Sequence, residues 1–71
     1  MWFGNIETKR GCFTSEPKDT KEDTFQWIIN YWNYYDDLEE EDETFAKTIE
    51  DIEKFRIEEE ILFKFFISKI K

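Results

Sequence analysis

The sequence has no histidine and only one cysteine, Cys12, among its 71 residues. Histidine is the commonest general base and transition-metal ligand, and zinc sites need several Cys or His side chains. This scarcity excludes a zinc site and a Ser-His or Cys-His nucleophile pair. A single cysteine cannot form an internal disulfide, which favours a reducing, cytoplasmic setting inside a host cell.

Glycine and proline are also scarce, with two Gly and one Pro. The two glycines lie too far apart in the sequence to form a phosphate-binding loop. A pair of carboxylates acting as acid and base needs a concave site, which so small a protein rarely provides. We therefore expect no enzyme activity, no cofactor and no metal.

Long apolar runs are missing as well. The longest nearly apolar window, residues 61–67, is interrupted by Lys64 and is too short to span a bilayer. Residues 1–5 lack the basic region and apolar run of a secretory signal. The composition is nevertheless 39% hydrophobic and 20% aromatic, which is too apolar for a disordered chain. We expect one folded domain over residues 1–71, without membrane attachment.

Acidic residues dominate the middle of the chain. In total, 18 Asp and Glu residues against 10 Lys and Arg residues give a net charge of −8. Seven of the eight residues at 36–43 are acidic, and residues 36–60 hold 13 acidic and 3 basic residues, a local balance of −10. Such a chain repels nucleic acid and anionic membranes. Its natural electrostatic partner is a basic surface.

An aromatic helix is predicted over residues 19–38. Asp19 or Thr20 can cap its start, with Glu22 or Asp23 reaching back in a capping box. Its apolar residues follow helical spacing on two faces, one with Phe25, Ile28, Ile29, Trp32 and Tyr35, the other with Trp27, Tyr31, Tyr34 and Leu38. Both faces need covering, so the N-terminal segment or another molecule must lie on the second face.

A second helix, charged in its first part and apolar in its last, is predicted over residues 43–70. It is either one helix or two helices with a break between residues 56 and 60. Three Glu-to-Lys pairs at i, i+4 favour helix here, namely Glu43 with Lys47, Glu50 with Lys54, and Glu60 with Lys64. A second apolar stripe lies on a different face and consists of Ile57, Ile61 and Phe65. It forms part of the core, a contact with a partner, or a contact between two copies of the chain. Strands at residues 55–57 and 61–70, rich in Ile and Phe, are the alternative.

The predicted fold class is mainly α. It is a small helical domain of two to three helices, and residues 1–18 form an irregular segment or a short hairpin that turns at Arg10 and Gly11. An α+β fold is the alternative.

The acidic run has two interpretations. In the more ordinary one it is a solvated surface that keeps an apolar protein in solution. In the other, carboxylates on a rigid element resemble a nucleic-acid backbone and occupy a Lys/Arg groove, with aromatic side chains as interface anchors. The candidate partner-binding residues are Asp36, Asp37, Glu39, Glu40, Glu41, Asp42, Glu43, Glu50, Asp51, Glu53, Trp27, Tyr31 and Tyr34.

In size, charge and Lys/Glu/Ile/Phe-rich composition, the chain resembles the small acidic inhibitors of bacteriophages and other mobile elements, including DNA-mimic anti-restriction and anti-CRISPR proteins. The resemblance rests on bulk character, and no motif or functional residue is carried over from it. It implies a stoichiometric inhibitor that evades host defence by blocking the nucleic-acid site of a nuclease, polymerase or CRISPR effector.

The function predicted from the sequence is inhibition of a nucleic-acid-handling protein through its basic surface. The partner is then a basic nucleic-acid-binding protein or complex, and the chain itself contacts neither nucleic acid nor membrane. Two alternatives are a structural or assembly subunit, such as a homodimer, and an antitoxin or immunity-type binding partner.

Overall fold

Two strands, two helices and a third strand follow one another along the chain. The computed structural model describes residues 1–35 and 37–70. The elements are β1 (Trp2–Thr8), β2 (Gly11–Thr14), α1 (Lys21–Tyr35), α2 (Ile49–Glu58) and β3 (Phe63–Lys69). The mainly α prediction is therefore wrong, and the α+β alternative describes the architecture.

The three strands form one antiparallel sheet in the order β2-β1-β3. β1 and β2 are a hairpin in which Thr8 lies opposite Gly11, so Lys9 and Arg10 form a two-residue turn. Gly11 has a φ of 127°, a conformation that side-chain-bearing residues rarely adopt. The N-terminal segment is thus a regular hairpin that supplies the central strand of the sheet.

The last element is a strand, so the helix predicted through residue 70 is wrong. Glu60 has a φ of 53°, and the chain reverses there and runs back beside β1, with Phe65 opposite Ile6. Lys64 lies 3.9 Å from Glu7 across the sheet, not one helical turn from Glu60 as predicted. Glu-to-Lys pairs contribute only about 0.2–0.5 kcal/mol each, and pairing with a central strand outweighs them.

α1 packs on one face of the sheet, and α2 packs against α1. The buried core joins all three, with the rings of Trp32 and Phe63 edge to face at 5.0 Å. Its members are Ile6, Ile28, Ile29, Trp32, Ala46, Ile52 and Phe63. No helix in the described part of the chain is both long enough and apolar enough to cross a membrane.

The second apolar face of α1 is covered in part by the N-terminal hairpin. Trp27 lies directly over Gly4, where a Cβ atom would come within 2.7 Å of the indole Cε3. The ring of Phe13 on β2 lies 5.3 Å from that of Tyr31. A glycine in β1 therefore lets the bulky indole approach the strand closely.

α2 begins at Ile49. The sequence pattern predicts an earlier start, at residue 43. Thr48 and Asp51 form a complete capping box at its start. Ile52 enters the core, whereas Ile57, from the second predicted stripe, is 67% exposed. That stripe is divided between α2, the following turn and β3, so it forms no continuous helical face.

Candidate partner-binding surface

An acidic loop joins α1 to α2. Within residues 37–43, every carboxylate-bearing residue is exposed: Asp37, Glu39, Glu40, Glu41, Asp42 and Glu43. Asp36, which belongs to the same predicted set, lies outside the described residues. The loop is thus a cluster of six exposed carboxylates on seven consecutive residues.

Side chains of α1 hold the loop where it leads towards α2. The Asn33 side chain accepts a hydrogen bond from the backbone N–H of Ala46 and donates one to its carbonyl oxygen, both at 2.8 Å. The indole N–H of Trp32 donates to the carbonyl oxygen of Thr44 at 2.9 Å. At the other end, the N–H of Leu38 donates to the carbonyl oxygen of Asn33 at 2.8 Å. The acidic loop is therefore fastened to α1 at both ends.

One carboxylate within the loop has a structural task. Asp42 Oδ2 accepts the backbone N–H of Glu39 at 2.7 Å, and the N–H of Asp42 donates to the carbonyl oxygen of Glu39 at 2.8 Å. These bonds form a tight turn that presents Glu40 and Glu41 at its tip. Hydrogen bonding to an ionised carboxylate is stronger than between neutral groups, which helps to offset repulsion between neighbouring acids.

The predicted acidic residues of α2 divide into two kinds. Asp51 accepts the backbone N–H groups of Lys47 and Thr48 at 2.9 and 3.1 Å, which together hold its pKa below the ordinary value. Glu53 forms an ion pair with Arg56 at 2.6 Å within the helix. Glu50 is exposed, and among the described residues it forms neither a capping hydrogen bond like Asp51 nor an ion pair like Glu53. Asp51 and Glu53 are thus engaged locally and partly buried, and of the three only Glu50 is fully exposed.

The three predicted aromatic residues differ in exposure. Tyr34 is 79% exposed, whereas Trp27 and Tyr31 are half-buried. Partial burial, together with the neighbouring Tyr35, raises the pKa of Tyr31. With Asn30, the three aromatic residues line a shallow cavity of about 340 Å³ beside α1. Tyr34 is therefore the aromatic side chain best placed to meet a partner.

The aromatic cavity and the acidic loop flank α1 on different sides. Tyr31 and Asn33 are two residues apart and thus about 160° apart around the helix. Tyr34 lines the cavity, and its backbone carbonyl oxygen accepts the N–H of Asp37, the first described residue of the loop, at 3.1 Å.

Two features of the structure were not predicted from the sequence. The first is the pair of hydrogen bonds between the Asn33 side chain and the backbone of Ala46, for which an amide at the margin of an apolar helix face is the single local signal. At the far end of the molecule, Trp2 has the ammonium groups of Lys21 and Lys69 at 5.2 and 5.4 Å from its ring centroid. Charge is thus distributed unevenly, with cations beside Trp2 and carboxylates on the loop.

Within residues 1–35 and 37–70, no group of three or more Cys, Asp or Glu side chains is placed to hold a metal ion. No protein-family model matches the sequence, and neither a curated protein nor a solved structure matches it.

Proposed function

We propose that this protein binds and inhibits a nucleic-acid-handling protein by occupying that protein's basic surface with the acidic loop. The observation that carries the proposal is the loop of six exposed carboxylates fastened to α1 at both ends. A surface of this charge attracts Lys and Arg side chains that otherwise bind phosphates.

Charge density supports this assignment. Seven residues span at most about 25 Å when fully extended, so residues 37–43 carry at least one charge per about 4 Å. A single strand of DNA carries one charge per about 3.4 Å. The loop therefore approaches the linear charge density of a nucleic-acid strand.

Preorganisation also favours binding. Ordering a flexible loop at an interface costs free energy for each side chain that becomes immobile. Here the bonds from Asn33 and Asp42 fix the loop backbone in the free protein. The carboxylates can meet a partner at a smaller entropic cost than those of a disordered acidic tail.

Aromatic contacts add specificity. Tyr and Trp are enriched among the residues that dominate interface energetics. Tyr34 is exposed, and together with Trp27 it lines the shallow cavity beside α1. We assign the electrostatic attraction of the partner to the loop carboxylates, and the anchoring contact to Tyr34. An exposed free thiol at Cys12 fits the reducing, cytoplasmic location that we propose for the protein.

The test compares two variants of equal net charge. In the loop variant, the four glutamates of the loop become amides, and Asp42 is kept because it forms the turn: Glu39→Gln, Glu40→Gln, Glu41→Gln and Glu43→Gln. In the control, four exposed carboxylates outside the loop become amides: Glu7→Gln, Glu16→Gln, Asp19→Asn and Glu22→Gln. Tagged wild type and both variants are used to capture partners from lysate, and affinities for each recovered protein are then measured over a salt series.

The expected result is capture of a nucleic-acid-binding protein by the wild type and the control, with release by added duplex DNA or RNA. The loop variant should lose at least about tenfold in affinity and most of the salt dependence. Equal affinity of the loop variant and the control contradicts the proposal. Capture of a partner that nucleic acid does not displace also contradicts it.

A further inference from the structure

β3 lies at one edge of the sheet, with β1 on its inner side. The N–H of Ile70 donates to the carbonyl oxygen of Met1 at 2.8 Å. Bonded and non-bonded pairs alternate in an antiparallel ladder, so the N–H and carbonyl groups of Phe65, Ile67 and Lys69 point away from β1. Within residues 1–35 and 37–70, no backbone hydrogen bond reaches these groups.

This edge is long and regular. Its pairing with β1 continues without a bulge from Lys69, opposite Trp2, to Phe63, opposite Thr8, and residues 63–69 contain neither proline nor glycine. Proteins commonly protect an edge with short strands, prolines or bulges. The opposite edge, β2, is only four residues long. A regular row of donors and acceptors at strand spacing matches the backbone of another extended polypeptide, and not a nucleic acid or a lipid.

Apolar side chains flank the edge on both faces of the sheet. Phe66 and Ile70, on the face away from the helices, are 63% and 49% exposed. Phe65 and Ile67, on the helix face, are partly buried against the core. An added strand with apolar side chains therefore gains cross-strand contacts on both faces.

The edge is also positively charged. Residues 61–70 contain Lys64 and Lys69 and no acidic residue. The α-ammonium group of Met1 lies 3.4 Å from the carbonyl oxygen of Ile70. The one acidic residue of β1 is Glu7, 3.9 Å from Lys64, so these two strands and the N-terminus carry an excess of positive charge. Opposite charges across a strand pair are favourable, which selects an acidic strand.

We propose that β3 binds an extended, acidic segment of a partner protein as a fourth, antiparallel strand of the sheet. Lys64 and Lys69 are five residues apart and lie on opposite faces. The segment accordingly carries Asp or Glu at two positions five residues apart, with apolar residues between them. A second copy of β3 brings two more lysines and no carboxylate. The proposal does not rest on the proposed inhibition, because no residue of the acidic loop takes part.

The probe is a blocked peptide of sequence Ser-Glu-Thr-Val-Ile-Val-Glu-Ser. In antiparallel register its glutamates face Lys69 and Lys64, and Val-Ile-Val faces residues 65–67. Isothermal titration calorimetry with the full-length protein measures the affinity. We expect a dissociation constant in the micromolar range, since the contact is one strand wide. Absence of binding at millimolar peptide overturns the proposal.

Two N-methylated peptides test the backbone pairing. The amides of the two valines face β3, because these residues lie opposite Phe65 and Ile67, and methylating both should lower affinity at least about tenfold. The amides of the threonine and the isoleucine point away from β3. Methylating those two is the matched control and should change affinity less than about threefold. Equal losses from the two peptides contradict strand addition.

A charge exchange tests the selection for acid. Lys69→Glu should weaken the peptide about three- to fivefold, and a peptide with Lys in place of the facing Glu should regain that loss. Lys54→Glu makes the same change in net charge on an exposed residue of α2, and it should leave affinity within about twofold. Equal weakening by the two variants contradicts the selection for acid at β3.

Hydrogen exchange measured by NMR locates the bound peptide. Saturating peptide should protect the amides of Phe65, Ile67 and Lys69, which have no partner among the described residues of the unbound chain. Binding without protection of these amides overturns the proposal. Protection that grows with protein concentration in the absence of peptide shows that a second copy occupies the edge, and it overturns the proposal as well.

Discussion

The side chain of Asn33 and the backbone of Ala46 form two reciprocal hydrogen bonds of 2.8 Å, as two paired strand residues do. Ala46 is only 1% exposed, so its N–H and carbonyl group depend on this amide in place of water. One α1 side chain thereby fixes the exit of the acidic loop. This contact therefore stabilises the fold and also holds the loop that we propose as the binding surface.

Replacing Asn33 by Ala should destabilise the protein by about 2–4 kcal/mol, because two buried backbone groups lose their partners. Asn30→Ala is the control, since Asn30 is exposed and bonds only the side chain of Gln26 in the described chain, and it should cost less than about 0.5 kcal/mol. Urea denaturation followed by circular dichroism measures both. Similar costs for the two variants would show that the clamp contributes nothing.

Asp51→Asn should lower stability at neutral pH and much less in acid. The folded-state pKa of Asp51 lies below its ordinary value of 3.8, so its stabilising contribution is present above that value. The contribution is lost as the pH falls through the folded-state pKa. Thermal melts of wild type and variant over a pH series measure the difference in Tm, which should shrink below pH 3.8. A difference independent of pH contradicts this role.

Gly4→Ala should cost about 1–3 kcal/mol, because the added methyl group meets the Trp27 indole at 2.7 Å and Thr24 Cγ2 at 3.3 Å. A smaller side chain at position 27 removes the clash. In a double-mutant cycle with Trp27→Leu, the cost of Gly4→Ala should therefore fall markedly. Additive costs in that cycle would mean that the indole does not lie on Gly4.

Tyr34→Ala should leave the free energy of unfolding within about 0.5 kcal/mol of wild type, because the side chain is exposed. If Tyr34 anchors the partner, the same change lowers affinity for the captured protein by about tenfold or more. Tyr31→Ala is the contrast, since its ring packs on Phe13 and Phe63 and its loss should cost about 2 kcal/mol of stability. Unchanged affinity for Tyr34→Ala excludes it as the anchor.

Local chemistry in the sequence is sufficient to indicate the aromatic helix. The start predicted at Asp19 or Thr20 lies next to Lys21, the first residue of α1, and Thr20 Oγ1 accepts the N–H of Asp23 at 3.1 Å. The helix start can be predicted from the sequence because a cap and a 3.6-residue apolar stripe depend only on neighbours within one or two turns. The predicted end at residue 38 is too late, since the helix ends at Tyr35.

Local sequence patterns do not predict the structure of the second half of the chain. Residues 63–69 carry Phe and Ile at positions that suit either a helix or a strand, and local Glu-to-Lys pairs favoured helix. The deciding partner is β1, about sixty residues earlier in the chain, whose backbone pairs with β3 along its whole length. No local pattern reports a pairing over such a distance.

The sequence by itself determined the helical start, the acidity of residues 36–60 and the scarcity of histidine and cysteine, since these follow from residue identity and near-neighbour spacing. Only the tertiary structure decided that the last segment is a strand and that one sheet face carries exposed apolar residues. It also decided that Asn33 holds the acidic loop. These features depend on side chains and strands brought together from distant parts of the chain, where packing and backbone hydrogen bonding outweigh local preference.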